Sequence, residues 1–160
     1  MIESISIQEQ TARAAAVVRG RVPAEEIGRL VGEAYGEVGH ALGGQGLAPA
    51  GPPFVRYTMG GDDGMDASGS AVEFTLAAGF PSSGPVTAVG RVEPMELPAG
   101  PAVVVVHVGQ WQEMGEAYSS AQAWMAEHGV VNAGDPWETY FDGPEAAVHR
   151  TVLTFPCREA

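Results

Sequence analysis

Two kinds of apolar pattern alternate along the chain. The runs "AAAVVR" (14–19) and "AVVVVHV" (102–108) are continuously apolar, rich in valine and short, which predicts strands buried on both faces. After each comes a stretch with a period near 3.6 residues. Ile27, Leu30, Val31, Ala34, Val38, Ala41 and Leu42 carry it first, then Trp111, Met114, Tyr118, Ala121 and Met125. These stretches predict two amphipathic helices. Pro23 suits the opening of the first, and Gly46 and Gly129 suit the stops. Short strands follow at "FVRYT" (54–58) and "AVEFTLA" (71–77), and again at "WETYF" (137–141) and "RTVLTF" (150–155). The stretches "ISIQEQ" (5–10) and "GRVEPMEL" (90–97) read as extensions of the first strand of each set. Loops rich in glycine, proline and aspartate are expected at "MGGDDGMDASGS" (59–70) and "AAGFPSSGP" (77–85).

The order strand, helix, strand, strand therefore occurs twice, and the residues repeat with it. "GEAYGEVGHALGGQGLAPAGPPFVRYT" (32–58) aligns without gaps on "GEAYSSAQAWMAEHGVVNAGDPWETYF" (115–141), nine of the 27 positions being identical. Composition alone would give roughly two, so the match reads as an internal repeat. Its identities include Gly32/Gly115, Tyr35/Tyr118, Gly46/Gly129, Pro53/Pro136 and Tyr57/Tyr140. Upstream the offset grows by five residues, which makes the first helix about a turn and a half longer than the second. The expectation is one α+β domain over residues 1–160, a tandem pseudo-twofold β-α-β-β repeat with units about 5–80 and 90–157. Its antiparallel sheet would carry two helices on one face.

Composition narrows the chemistry. At 160 residues, with 45% hydrophobic and 18% charged residues, the chain can bury a core without staples. It lacks an apolar run of the roughly 20 residues that span a bilayer, and its N-terminus does not read as a signal peptide. A single cysteine, Cys157, forms no internal disulfide, and a cytoplasmic location is expected. The net charge is −12 and all eight basic residues are scattered arginines. Direct nucleic-acid binding is therefore not expected, whereas an acidic surface attracts cations. The same acidity also serves plain solubility. Asp62, Asp63 and Asp66 lie in one loop but lack the ligand spacing of a calcium loop, so no metal site is expected. The dispersed histidines His40, His107 and His128 read as structural, and so does Cys157. No dinucleotide, P-loop or nucleophile-elbow signature occurs, so no cofactor is expected.

One residue stands apart. Strand alternation puts Glu138 and Tyr140 of "DPWETYF" on one face and Trp137, Thr139 and Phe141 on the other. If the first of these faces is buried, an ionised carboxylate there is costly unless hydrogen-bonded or paired. Its counterpart in the repeat is Val55, so the fold itself does not require the charge. One reading solvates Glu138 or pairs it with Arg56 or Arg150. The other makes it the acid at the base of an aromatic cleft along the pseudo-dyad, a site for a flat cation held by counter-charge and cation–π attraction.

The stretches "AVVRGRVPAEEI", "GPPFVRYT", "AAGFP", "LPAGPAVVVVHVGQW", "AYSSAQAWM" and "DPWETYF" together resemble the GyrI-like effector-binding domain. That family also forms the ligand-binding half of some AraC-type and MerR-type regulators. The likeness runs from about Ile5 to Pro156. It implies a duplicated SHS2-like module with a multidrug-type pocket for small aromatic, often cationic, compounds. Glu138 matches the family's pocket glutamate, Tyr140 its partner two residues on, and Tyr57 the pocket tyrosine of the first unit. Phe54, Phe80 and Trp111 fall where aromatic residues wall or cap the site. No DNA-binding segment accompanies the domain in this sequence, which implies a stand-alone member. Some such members resemble hydrolases that open the cyclopropane ring of DNA-alkylating natural products. Glu138 would there act as general base or stabiliser, with Tyr140 or Tyr57 hydrogen-bonding the substrate carbonyl. Another branch is named for inhibiting DNA gyrase, a protein-interaction role that forms the third alternative.

Overall fold

The computed structural model describes residues 1–58, 73–110, 113–142 and 146–160. The loop with Asp62, Asp63 and Asp66 and the residue Trp111 lie outside these. The described residues form nine strands and two α-helices, and the chain divides into two compact units. A central unit comprises Arg13–Leu97, and a terminal unit combines Met1–Ala12 with Pro98–Ala160.

In the central unit, strand β2 (Arg13–Pro23) runs into a single 3-10 turn and then helix α1 (Ile27–Gly44), followed by β3 (Phe54–Tyr57), β4 (Glu73–Pro81) and β5 (Val92–Leu97). The strands pair antiparallel in the order β5-β2-β4-β3. Helix α1 covers one face with Leu30, Ala34, Val38, Ala41 and Leu42, five of the seven periodic residues. Pro23 closes β2 and caps the 3-10 turn rather than opening α1 directly. The helix ends before Gly46, whose φ of 70° is the left-handed conformation that glycine reaches without strain.

The terminal unit is built from β1 (Ile2–Gln10), β6 (Gly100–Gly109), α2 (Met114–Glu127), β7 (Val130–Asn132), β8 (Trp137–Tyr140) and β9 (His149–Glu159). Its strands pair antiparallel in the order β1-β6-β9-β8, and β7 joins the end of β9. Helix α2 buries Ala117, Ala121 and Met125 against Val103, Val105, Leu153, Phe155 and Cys157. At 14 residues it is four shorter than the 18 of α1, a little over one turn.

Two expectations are corrected here. The stretches at 5–10 and 90–97 do not prolong β2 and β6. They are separate strands, and each pairs with the other set: β1 lies antiparallel to β6, and β5 to β2. A strand is stabilised by a lateral partner, and those two strands offered open lateral edges. Residues 77–81 are also strand, not loop. Ala77, Ala78 and Gly79 continue β4 opposite β2, and Ala77 and Ala78 are buried. The glycine is what permits it, because a Cβ at Gly79 would sit 1.8 Å from the Ala16 carbonyl oxygen.

Candidate functional site

The register of the terminal unit decides what surrounds Glu138. Strand β8 pairs Glu138 with Leu153 and Tyr140 with Thr151, and β9 pairs those two with Val105 and His107. Opposed residues share a face. Glu138 therefore lies in a row with Leu153 and Val105, which belong to the core under α2. The carboxylate is buried, with 7% of the residue exposed. This face is the helix-covered one, as alternation requires for Glu138 and Tyr140 together.

Two phenols meet the carboxylate. Tyr140, two residues along the same strand, donates from its hydroxyl to Oε1 at 2.7 Å. Tyr118, on the first half of α2, donates to Oε2 at 2.5 Å. The Tyr118 ring is held by an edge contact on Phe155, with centroids 5.4 Å apart at 82°. Both carboxylate oxygens are thus bonded, by neutral donors. Where the sequence left open a solvated Glu138, the structure buries it and supplies two tyrosine donors. Burial raises the Glu138 pKa above the usual carboxylate value, and the two tyrosine hydrogen bonds oppose that rise.

Tyr118 is the partner that pattern reading passed over, because its place in the helical period marks it as a core residue. Its signal was the repeat, in which Tyr35 and Tyr118 are identical. Tyr35 donates at 3.5 Å to the Phe54 carbonyl oxygen and packs on Phe80, with centroids 5.3 Å apart. Val55, the counterpart of Glu138, is buried.

The remaining expected site residues among the described ones, Tyr57, Phe80 and Phe54, lie in the central unit. Tyr57 and Phe80 alternate onto the face of the sheet that α1 covers. That face is marked by Gly20, opposite Leu76, where an added Cβ would meet Leu30 of α1. Phe54 takes the opposite face and is buried there. The structure thus joins Glu138 with Tyr140 and Tyr118, and sets Phe54 on a different face from Tyr57. No cluster of three or more histidine, cysteine or acidic residues among the described ones is placed to hold a metal ion. No described helix is long and apolar enough to cross a membrane.

The chain belongs to the GyrI-like family, and the model of the GyrI-like small molecule binding domain matches residues 3–156. Among solved structures it is similar to the C-terminal domain of EcmrR, at 20% identity and a TM-score of 0.68, covering 98% of each chain. In the EcmrR–DNA complex the TM-score is 0.74 at 20% identity over 98% of this chain, which spans only 58% of that protein. A hydrolase encoded by lin2189 from Listeria innocua matches over 96% of this chain and 91% of its own, at 15% identity and a TM-score of 0.69. At these identities the likeness is one of fold. No curated protein matches the chain in sequence.

Proposed function

We propose that this chain binds flat, cationic small molecules, with Glu138 as the counter-charge. The observation that carries the reading is a carboxylate 7% exposed whose partners are two tyrosine hydroxyls. The phenols orient the acid without neutralising it, so a bound cation would meet an unpaired charge in a low-dielectric setting, where attraction is strongest. Aromatic faces beside it add about 0.5 to 2 kcal/mol of cation–π attraction. EcmrR, a protein seen bound to DNA, carries a domain of this fold. The sequence match supports the same reading, since Val55, which aligns with Glu138, is buried without a charge.

Fluorescence titration with a flat cationic dye and a neutral dye of the same shape tests this. Wild type should bind the cation more tightly, and Glu138→Gln should lose that preference while keeping its fold. Equal affinity of the variant for the cationic dye would end the assignment.

One observation favours a second reading. The carboxyl of Glu138 and the hydroxyl of Tyr140 form a hydrogen-bonded acid–base pair at 2.7 Å, and burial brings the acid closer to neutral proton affinity. Such a pair suits a hydrolase that adds water across a strained cyclopropane ring, and Listeria innocua proteins described as hydrolases share the fold. Mass spectrometry of a cyclopropane-bearing alkylating compound after incubation tests it. A product heavier by one water, formed by wild type and absent with Glu138→Gln, is the expected sign, and intact compound in both samples refutes it.

A further inference from the structure

The row next to Glu138 holds polar atoms without a hydrogen-bond partner among the described residues. Tyr140, Thr151 and His107 face one another across β8, β9 and β6, on the side covered by α2. Thr151 is wholly buried and His107 nearly so. Among the described residues neither Thr151 Oγ1 nor His107 Nδ1 has a hydrogen-bond partner. The other ring nitrogen, Nε2, lies 3.0 Å from the Met1 nitrogen. That nitrogen is a donor, so Nε2 accepts and Nδ1 carries the ring hydrogen. Burial and the nearby positive charge lower the His107 pKa, against the opposing effect of Glu113 and Glu116, which keeps the ring neutral.

One orphaned buried polar atom is costly, and two in neighbouring positions call for an occupant. Thr151 Oγ1 can accept or donate, and His107 Nδ1–H only donates. A hydroxyl answers both, by accepting from His107 and donating to Thr151. The row also ends in open space. His107 lines a cavity of about 380 Å³ with Met1, Ile2, Glu113, Glu116 and Ala117, beneath the first turn of α2. Thr151 stands diagonally across from Glu138, a step of roughly 7–8 Å in an antiparallel pair.

From this geometry we infer that Thr151 and His107 form a neutral hydrogen-bonding subsite beside Glu138, one that selects cations bearing a hydroxyl about 7–8 Å from the charge. The inference rests on the cation-binding reading and narrows its ligand class.

The test uses two N-methylquinolinium salts that differ only in a hydroxymethyl or an ethyl group at the far end of the ring. Their binding to wild type, Thr151→Val and Glu138→Gln is measured by fluorescence titration. Wild type should bind the hydroxymethyl probe about fivefold to tenfold more tightly, the worth of one to two neutral hydrogen bonds. Thr151→Val, which keeps the side-chain shape, should erase that preference and leave the ethyl probe's affinity unchanged. That unchanged affinity also shows that the variant is folded. Equal affinity of wild type for the two probes overturns the subsite, as does a preference that survives Thr151→Val. The row would then hold only structural water. Binding of both probes that is lost in Glu138→Gln supports the underlying reading whatever the subsite does. Failure of wild type to bind either probe overturns both.

Discussion

Replacing Glu138 by glutamine should make the protein more stable, and only at higher pH. The carboxylate is buried, and burial is the largest influence raising its pKa in the folded chain. In the unfolded chain it titrates near the ordinary glutamate value of about 4.3. Between that value and the raised one, the folded state holds a proton that the unfolded state has lost. Stability therefore falls as pH rises through this window and is level above it. Each tenfold difference in acid strength between the two states corresponds to about 1.4 kcal/mol. Glutamine has the same shape and no charge, so it escapes this loss. It accepts from one tyrosine and must donate to the other, whose hydroxyl can rotate to receive it at a cost of about 1 kcal/mol.

The variant should therefore equal wild type or trail it by about 1 kcal/mol in acid, and overtake it as pH rises through the window. For a chain of this size the lead amounts to a rise in Tm of about 2–4 °C per kcal/mol. Urea unfolding followed by tryptophan fluorescence, in steps from about pH 5 to about pH 9, reads the difference directly, since Trp137 adjoins the site. A difference that is constant with pH, or that shrinks as pH rises, would refute the claim that burial of this acid is a stability cost.

Other outcomes follow from the same contacts. Cation affinity should rise up to tenfold per pH step below the Glu138 pKa and level off above it, because only the ionised acid supplies the counter-charge; a pH-independent dye titration would contradict this. Tyr118→Phe removes the donor to Oε2, destabilises the ionised acid and should weaken cation binding about tenfold or more, the worth of a hydrogen bond to a charge. The same titration at fixed pH measures it. Gly79→Ala must push β4 away from the Ala16 carbonyl and should cost about 3 kcal/mol or more. Gly32→Ala, at an open helix position, should instead stabilise by about 0.5–1 kcal/mol. Urea midpoints compare the two.

Much of the fold was legible in the chain, because it depends on near neighbours. Both helices and most strands follow from apolar spacing. The positive φ at Gly46 and Gly129 follows from glycine placed after a periodic run. That Glu138 and Tyr140 share a face follows from alternation alone. Where local pattern failed, a distant residue had the deciding part. Gly79 reads as a turn residue until the backbone of β2 comes to lie against it. The strands at 2–10 and 92–97 look like extensions of β2 and β6, their next neighbours along the chain, until their lateral partners prove to be β6 and β2 respectively. Tyr118 reads as core, and only the packing of α2 on β8 and β9 brings its hydroxyl to Glu138. Residues 20 apart on the chain, or 44 apart as with His107 and Thr151, meet through strand pairing and helix docking. Periodicity carries no record of such partners, since it encodes which face a side chain takes and not what it finds there.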